Sequence, residues 1–545
     1  MRPFLTLHDP AHAREHYARG VWRDETFYGL LCRWARERPD ALALRDAATR
    51  LTWSEVRGRV DALAARFRAD GLVGGDRVSL WMSNRVEAVI AFLACSREGL
   101  ACNPSLHRTY TCAEIATLLE RLRTRVLITE PGWGADRDRV ELARVLEPLA
   151  DLRAVYQADD LPATGAAPPT PAVTSPDKVA YLAFTSGTTG MPKCVMHSDN
   201  TLLANARDLA RDWGLGPDTR LLSLSPVSHH IAWVGVSQWL LGGCEYIVDR
   251  PPAGMTRLDW LVETGATYVM GVPTHAMDML AEQRARGIER LGAVETFYMA
   301  GAPIPPTVAA SFVAQGIKPQ NVYGMTENSS HQYTHPADDT DTIVATCGRG
   351  GPAYEVRIFD ADDCDRDVGR GVVGQIGGRG AALMLGYFAN QQATEESFNR
   401  DGWFMSGDLG MLDEQGNLHV TGRLKDMIIR GGKNIYPAHV EAVTLRHPLV
   451  ERAAMFAVAD ERLGERACMA VLGTIDADTL IAHLRAAGVS VYDLPEYFLR
   501  VDAFPLTASG KILKRELVEM ARRGDIAPQP VRRQPRTEPK PESQT

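Results

Sequence analysis

Apolar residues in the first 180 positions follow two spacings in turn. Residues 27–34 place apolar side chains on one helical face, and Thr52 begins a capping-box pattern ahead of a second helical stripe. Between such stripes, short apolar runs at residues 78–82 and 100–102 predict strands. Strands that alternate with helices in this way predict a mainly parallel sheet with helices on both faces.

The pattern changes further along the chain. Proline, alanine and threonine dominate residues 161–178, which predicts a surface connector. The α/β alternation resumes over residues 221–323, and residues 354–359 then switch to a period of two ahead of a cluster of glycines. That switch predicts a small β-rich subdomain. A compact α+β stretch follows to about Arg523, and the proline-rich residues from Ile526 predict a disordered tail.

Composition narrows the class of protein. The 545 residues are 45% hydrophobic and 23% charged, which is ordinary for a globular protein with a large core. A net charge of -8 argues against a nucleic-acid partner, and nine scattered cysteines are typical of reduced thiols in a cytosol. The N-terminus lacks the apolar core of a signal peptide, and the apolar run 86–95 is too short to span a bilayer. We therefore expect a cytoplasmic protein without a membrane partner.

An apolar run at residues 179–184 leads directly into a loop of small residues that ends in a lysine. Glycines let the backbone approach a ligand closely, hydroxyl and N–H groups donate hydrogen bonds, and lysine adds positive charge, so this composition suits a phosphate. The spacing differs from a Walker loop, and a flexible surface loop is the alternative interpretation. The candidate phosphate-binding residues are Thr185, Ser186, Gly187, Thr188, Thr189, Gly190 and Lys193.

Four further segments carry residues suited to chemistry: 322–327, 402–410, 422–437 and 506–515. The first offers an aromatic for a base, a hydroxyl for phosphate and a carboxylate for Mg²⁺, while the second places a carboxylate between glycines, as a ribose acceptor requires. The third alternates charged and apolar residues like a linker with mobile flanks, and the fourth has a lysine after Ser-Gly. Taken singly, these also fit a capped turn, a β-turn aspartate and a solvated lysine.

In this order, the five segments together resemble the adenylate-forming superfamily of acyl-CoA synthetases, aryl-acid ligases, adenylation domains and luciferases. The resemblance covers residues 20–523. It implies an α/β fold: a large N-terminal AMP-binding domain, 1–424, with parallel α/β sheets and a small β subdomain, and a small mobile α+β C-terminal domain, 425–525. Residues 526–545 form the predicted disordered proline-rich tail.

The resemblance also assigns roles around ATP. The 185–193 loop matches the segment that handles the β- and γ-phosphates, Thr326 matches the α-phosphate contact, and Glu327 matches the Mg²⁺ ligand. Asp408 and Arg423 match the pair that grips the ribose. The residues matching the adenine pocket are Gly301, Ala302, Pro303, Tyr323 and Gly324.

Further roles fall in or near the C-terminal region. By resemblance, Lys425 occupies the hinge, Lys511 is the mobile catalytic lysine of the adenylation step, and Gly431 and Gly432 line the pantetheine tunnel for coenzyme A. A domain that swings about a hinge would let one site carry out adenylation and then thioester formation with different neighbours.

The acid pocket is expected around residues 228–235, where His229 matches a histidine that gates the acyl site and is also assigned a catalytic role. Aryl-acid ligases of the dihydroxybenzoate type often carry asparagine where this chain has His230. This difference weakens the assignment of a hydroxybenzoate substrate. Bulky side chains such as Trp233, Tyr298 and Met299 would crowd the pocket and favour a compact cyclic, aromatic or short-to-medium aliphatic acid. Trp233 also fits a core position. The predicted acid-pocket residues are His229, His230, Trp233, Val234, Tyr298, Met299 and Gly301.

The resemblance implies an ATP-dependent carboxylic acid:CoA ligase that forms an acyl-adenylate and then an acyl-CoA, with ATP, Mg²⁺ and coenzyme A as cofactors. Cyclohexanecarboxylate- or benzoate-like acids fit best. Because no carrier domain follows in this sequence, coenzyme A is the expected acceptor, and a separate carrier protein is the alternative. A catalytically silent nucleotide-binding homologue is a third hypothesis. A homodimer is compatible with the sequence, which does not determine the oligomeric state.

Lys511→Ala is expected to lower the adenylation rate by about 10²- to 10³-fold, the effect of losing one charge contact in a transition state. Thioester formation from a supplied acyl-adenylate should survive, because the lysine bridges carboxylate and phosphate only in the first step. Separate assays of the two half-reactions check this expectation. Equal losses in both would contradict the bridging role.

Overall fold

Helices and strands alternate along most of the chain in the computed structural model, which describes residues 10–165, 168, 170–185, 192–431, 433–506 and 512–531. The chain divides into two compact units. One comprises Met1–Ser406 and Met411–Val420, and the other comprises Gly407–Gly410 and Thr421–Thr545. The predicted hinge residue Lys425 belongs to the second unit.

The helices of the described residues are α1 (Pro10–Ala18), α2 (Phe27–Glu37), α3 (Trp53–Ala69), α4 (Val86–Glu98), α5 (Cys112–Leu122), α6 (Leu142–Leu146), α7 (Asp199–Asp212), α8 (His230–Gly242), α9 (Arg257–Thr264), α10 (Pro273–Ala285), α11 (Pro306–Val313), α12 (Thr340–Ala345), α13 (Gln391–Glu396), α14 (Pro437–Thr444), α15 (Ala477–Ala486) and α16 (Lys514–Arg523). Among the described residues, no helix combines the length and apolar character needed to cross a bilayer.

The strands of the described residues are β1 (Leu42–Arg45), β2 (Arg50–Thr52), β3 (Arg77–Trp81), β4 (Ala101–Asn103), β5 (Thr124–Thr129), β6 (Ala154–Gln157), β7 (Val179–Thr185), β8 (Lys193–Ser198), β9 (Arg220–Ser223), β10 (Glu245–Val248), β11 (Tyr268–Gly271), β12 (Thr296–Ala300), β13 (Lys318–Met325), β14 (Ser329–Tyr333), β15 (Tyr354–Phe359), β16 (Gly374–Gly380), β17 (Gly386–Tyr387), β18 (Phe404–Leu412), β19 (Leu418–Arg423), β20 (Ile428–Arg430), β21 (Lys433–Ile435), β22 (Val450–Asp460), β23 (Gly464–Gly473), β24 (Tyr497–Arg500) and β25 (Gln529–Pro530).

Two large sheets form the frame of the first unit. The seven-stranded sheet has the order β17-β8-β7-β4-β3-β5-β6, and the eight-stranded sheet has the order β14-β13-β12-β11-β9-β10-β1-β2. Their interior strands pair in parallel, while β8, β17, β14 and β2 pair antiparallel at the edges. The predicted α/β class is confirmed, and the sheets are mixed rather than wholly parallel.

Most of the local predictions in this unit are confirmed. The helix predicted over residues 27–34 is α2, and Thr52 caps α3 through the reciprocal hydrogen bonds of a capping box. The strands predicted at 78–82 and 100–102 are β3 and β4, each displaced by one residue. The largest apolar cluster joins side chains of both sheets with those of the intervening helices, which include α4 and α8. Sequence periodicity located these elements because each buries one apolar face.

The smaller sheets also follow the sequence pattern. The predicted β-rich segment forms a four-stranded sheet in the order β15-β16-β18-β19. In the second unit, the long antiparallel pair β22 and β23 is extended by β24, and helices α14 and α16 pack against β22. The prediction of disorder from Ile526 is wrong for the start of the tail, because β25 pairs with β24. Backbone hydrogen bonding needs no large apolar side chains, so composition did not reveal this strand.

A buried carboxylate joins three parts of the first unit close to the phosphate-loop hairpin. Asp199, at the start of α7, is fully buried, pairs with the Lys178 ammonium and accepts a hydrogen bond from the Phe27 backbone N–H at 2.9 Å. Burial raises the pKa of Asp199, and the Lys178 ammonium opposes that shift. The anchor therefore ties α2 and the strand entering the loop to the helix that leaves it.

Asp199→Ala is expected to lower the free energy of unfolding by about 3–5 kcal/mol, because the Lys178 ammonium would lose its buried partner. Asp199→Asn should cost less, since its side-chain oxygen can still accept from the Phe27 N–H. Urea denaturation followed by tryptophan fluorescence measures the change in the first unit, because all ten tryptophans lie before residue 406. Glu141→Ala, which removes an exposed ion pair with Arg144, is the control and should change stability by less than about 1 kcal/mol.

Candidate active site

The predicted phosphate loop closes a β-hairpin in the seven-stranded sheet. Strands β7 and β8 pair antiparallel, and Thr185 lies directly opposite Lys193 at the end of the pair next to the loop. The predicted residues Ser186, Gly187, Thr188, Thr189 and Gly190 lie outside the described residues. The flanking pair nevertheless determines where the loop starts and ends.

The predicted adenine pocket lies at the carboxyl ends of two neighbouring parallel strands. Ala300 at the end of β12 is in register with Val322 in β13, so the exposed segment Gly301, Ala302 and Pro303 follows β12 beside Tyr323. The carboxyl edge of a parallel sheet is where α/β folds commonly bind ligands. Gly301 has a φ of 88°, a left-handed conformation that favours glycine.

Gly324 has a different reason to be glycine. A Cβ atom at this position would lie 1.7 Å from the Ser329 carbonyl oxygen, so any larger residue would push β13 and β14 apart. The ring of Tyr323 meets the ring of the buried His331 edge-on at 5.4 Å. The glycine therefore lets β13 and β14 approach each other closely at this point. Tyr323 of β13 packs there against the ring of His331 in β14.

Both predicted nucleotide contacts in the next turn are held by side chains from other strands. The Thr326 carbonyl oxygen accepts a hydrogen bond from His197 Nε2 at 2.6 Å, and Glu327 Oε1 accepts one from the Tyr387 hydroxyl at 2.9 Å. The Lys193 ammonium lies 4.5 Å from the centre of the Tyr387 ring. The arrangement brings together the phosphate-loop lysine and the carboxylate predicted to bind Mg²⁺ around one tyrosine.

The surroundings of Glu327 fit a Mg²⁺ ion that is bound mainly through a nucleotide. Glu327 is 8% exposed, and its carboxylate is a hard oxygen ligand bonded to Tyr387, whose ring lies against the ammonium of Lys193 at the start of β8. Mg²⁺ is usually bound by one or two carboxylates together with substrate phosphates and water. Within the described residues there is no cluster of three or more histidine, cysteine or acidic side chains that would form an all-protein cage.

The predicted acid-pocket histidines lie at the N-terminus of α8 among other aromatic rings. His229 precedes the helix, and its ring packs edge-on against His107 at 4.9 Å. His230 Nδ1 lies 3.3 Å from the Tyr181 hydroxyl, and its Nε2 lies 3.0 Å from Ser329 Oγ. Burial lowers the pKa of His230 to about 3, so this ring is neutral at physiological pH.

The remaining predicted acid-pocket residues are buried, and they do not all share one face. Trp233 is 1% exposed and packs against Phe92, while Tyr298 donates or accepts a 2.6 Å hydrogen bond with Ser330. Val234 is likewise buried. Met299 follows Tyr298 in β12, so its side chain points to the opposite face and joins a separate apolar cluster. The structure therefore does not bring Met299 together with His230 and Tyr298.

The predicted ribose pair and the predicted hinge residue lie in the second unit. Arg423 Nε forms an ion pair with Asp408 Oδ1 at 3.0 Å, and Arg423 is exposed while Asp408 is buried. The structure therefore brings the predicted ribose pair together. Lys425 is exposed in a single 3₁₀ turn between β19 and β20, and Gly431 has a φ of 56°. Lys511 and Gly432 lie outside the described residues.

Three residues that the sequence motifs did not single out belong to this site: Tyr387, His197 and Tyr181. His197 lies four positions after Lys193 in β8, so its proximity to the phosphate loop was a usable signal. Tyr181 is one of the apolar positions of β7, where only its hydroxyl distinguishes it from a core residue. Tyr387 comes from the two-residue strand β17, for which the local pattern offered no signal.

Comparison with known proteins identifies the family. The profile of the AMP-binding enzyme family matches residues 31–388, and the profile of the AMP-binding enzyme C-terminal domain matches residues 439–511. The chain is 28% identical to the medium-chain fatty-acid–CoA ligase of Escherichia coli (strain K12), over 94% of this chain and 93% of that protein. It is 32% identical to a salicylyl-CoA synthase / salicylate adenylyltransferase of a Streptomyces species, over 94% and 97%.

A solved structure supports the same family assignment. The o-succinylbenzoate coenzyme A synthetase of Bacillus subtilis, in complex with ATP and magnesium ion, superposes with a TM-score of 0.79 and 26% identity. The match covers 90% of this chain and 98% of that protein, including its large and small domains. The chain therefore belongs to the AMP-binding enzyme family of the adenylate-forming superfamily, as an AMP-forming acid–thiol ligase of the acyl- or aryl-CoA kind.

Proposed function

We propose that this enzyme activates a compact carboxylic acid with ATP and transfers the acyl group to coenzyme A. The acid and ATP form an acyl-adenylate and pyrophosphate, and the thiol of coenzyme A then displaces AMP to form the thioester. The observation that carries the proposal is the convergence of Lys193, Glu327 and Tyr387 at the end of the phosphate-loop hairpin.

The first step requires two anions to approach each other. The acid's carboxylate must reach the α-phosphate of ATP, so positive charge has to offset their repulsion. Lys193 would contact the phosphates from the loop, and Glu327 would hold Mg²⁺, which supplies further positive charge to the phosphates. Thr326 would contact the α-phosphate, with its backbone held by His197. Lys511 would bridge the carboxylate and the phosphate, and Asp408 and Arg423 would hold the ribose.

The surroundings of His230 support a compact acid. Tyr181 and Trp233 are both buried, and the centre of the Tyr181 ring lies 5.4 Å from that of His230 and 6.1 Å from that of Trp233. These close-packed aromatic side chains leave little room for an acid with a long flexible chain. A cyclic acid or a short-chain acid does not need to extend into the space that they fill. We therefore favour a cyclic, aromatic or short-to-medium aliphatic acid of the cyclohexanecarboxylate or benzoate type.

The choice of acceptor is supported by the relatives. The named proteins form CoA thioesters of a medium-chain fatty acid, of salicylate and of o-succinylbenzoate, so coenzyme A is common to them and the acid is not. Gly431 and Gly432 are the residues we propose for the pantetheine arm of coenzyme A, and Lys425 is the residue we propose for the hinge.

A panel of acids, scored once for pyrophosphate and once for the CoA thioester, tests the function. Benzoate, cyclohexanecarboxylate, salicylate, octanoate and hexadecanoate make a suitable set. We expect both products with the ring acids, at a kcat/KM at least about 10-fold above that for hexadecanoate. Pyrophosphate without thioester would favour the carrier-protein alternative, and silence across the panel would favour a nucleotide-binding homologue. A preference for hexadecanoate would overturn the compact pocket.

Tyr387→Phe is expected to lower kcat/KM for ATP by about 10-fold, because Glu327 loses a hydrogen bond while Lys193 keeps an aromatic ring beneath it. The concentration of Mg²⁺ that gives half-maximal pyrophosphate exchange should rise as well, since the carboxylate is less well oriented. Titration of Mg²⁺ at fixed ATP measures this shift.

Tyr333→Phe is the matched control for this prediction. Tyr333 donates a hydrogen bond to the Asp212 carboxylate at 2.7 Å in the same unit, so it loses the same kind of bond away from Glu327. We expect its Mg²⁺ dependence to match that of the unsubstituted enzyme. An equal shift in both variants would mean that the effect comes from general destabilisation.

A further inference from the structure

The turn that carries Thr326 and Glu327 is held at both of its ends by histidines. His197 donates to the Thr326 carbonyl oxygen at the first position, and His230 contacts Ser329 Oγ at the fourth position. The two histidines come from β8 and from the N-terminus of α8. Their imidazole rings stack, with centres 5.6 Å apart and planes 26° from parallel.

The bonding partners of His197 determine its protonation state. Burial lowers the pKa of His197 to about 4, so its ring is neutral at physiological pH and carries one N–H group. A carbonyl oxygen can only accept, so Nε2 holds that hydrogen and donates it to Thr326. Nδ1 is then an acceptor, and the Thr201 hydroxyl lies 3.0 Å from it. Both ring nitrogens are satisfied, which locks the ring in one orientation.

Ser329 is the part of the turn that can respond to His230. Its φ of 56° places a non-glycine residue in the left-handed region, which costs on the order of 1 kcal/mol and persists only where neighbours hold it. His230 is one of those neighbours, through Ser329 Oγ. A displacement of the His230 ring would therefore act on the turn directly, and also through the stacked, fully buried His197, which has no free space to absorb it.

We propose that His197 and His230 form a positioning pair that links the acid pocket to the Thr326–Ser329 turn, so that the acid and ATP bind cooperatively. The inference rests on the proposed function, because it takes the acid to lie against His230 and ATP to lie against Thr326. Neither histidine needs to exchange a proton in this role. By reciprocity, the acid tightens ATP binding by the same factor as ATP tightens acid binding.

Two substitutions of His197 separate its two contacts. In His197→Gln, the amide N–H can take the place of Nε2–H and donate to the Thr326 carbonyl, but the ring that stacks on His230 is lost. In His197→Phe, the ring is kept and the donor is lost. If His197 had only a structural role, both variants would lose stability, and the acid would still tighten ATP binding as it does in the unsubstituted enzyme.

The measurement is calorimetric binding of α,β-methylene-ATP with Mg²⁺, with and without a saturating acid chosen from the panel. This analogue cannot release pyrophosphate, so binding is measured without turnover. In the unsubstituted enzyme we expect the acid to tighten binding by at least about 5-fold. We expect His197→Phe to bind the analogue about 10-fold more weakly without acid. His197→Gln should stay within about 3-fold, and in both variants the effect of the acid should fall below about 2-fold, because only the direct contact of His230 with Ser329 Oγ remains.

His335→Phe is the matched control. His335 Nε2 donates to the Gly350 carbonyl oxygen at 3.0 Å in the same unit, so this variant loses the same type of hydrogen bond away from the Thr326–Ser329 turn. It should keep the full effect of the acid. Loss of that effect in His335→Phe would overturn the proposal, as would an unsubstituted enzyme in which the acid leaves analogue binding unchanged.

The acid panel and the calorimetric binding experiment together separate this proposal from the proposed function. If no acid of the panel supports pyrophosphate release, the proposed function fails, and the binding of the analogue alone still decides the role of His197. Equal affinities of the Gln and Phe variants would then overturn the positioning role. If acids do support pyrophosphate release and yet do not affect analogue binding, only the positioning pair is wrong.

Discussion

The position of one short turn, Thr326 to Ser329, is the constraint on which the candidate active site depends. The turn follows β13 at the carboxyl edge of the eight-stranded sheet, where a strand end by itself leaves backbone groups without partners. Side chains from the other large sheet hold the turn: His197 from β8 donates to the Thr326 backbone carbonyl, and Tyr387 from β17 donates to the Glu327 side-chain carboxylate. The carboxyl edge of one sheet is therefore ordered by side chains from the last two strands, β8 and β17, of the other.

This construction keeps protein charge low on the side of the predicted acid pocket and concentrates it on the side of the predicted nucleotide contacts. The rings of His197 and His230 are neutral because burial disfavours their protonated forms. Lys193 and Glu327 carry the charges, and both contact Tyr387, whose ring faces the ammonium while its hydroxyl faces the carboxylate. An amphipathic tyrosine can meet both groups at once, because an aromatic face attracts cations and a hydroxyl donates to anions.

Local patterns predicted much of the fold because each element buries a regular face. The capping box at Thr52 and the apolar spacing of α2 depend only on residues within four positions of one another. The start of the tail was predicted wrongly for a related reason: β25 is formed by backbone hydrogen bonds to β24, which composition does not record. The assignment of Met299 to the acid pocket overlooked the alternation of side chains along β12, which places it opposite to Tyr298.

The sequence by itself determined the family, because five motifs with glycines, hydroxyl groups and charges at particular spacings occur together in one order. It also determined that Gly324 carries no side chain, which permits the close approach of β13 and β14. Only the tertiary structure decided which residues orient those motifs. His197 and Thr326 are 129 positions apart, and Glu327 and Tyr387 are 60 apart. Such pairs meet only once strand order and register are set, and hydrophobic periodicity within one segment carries no information about either.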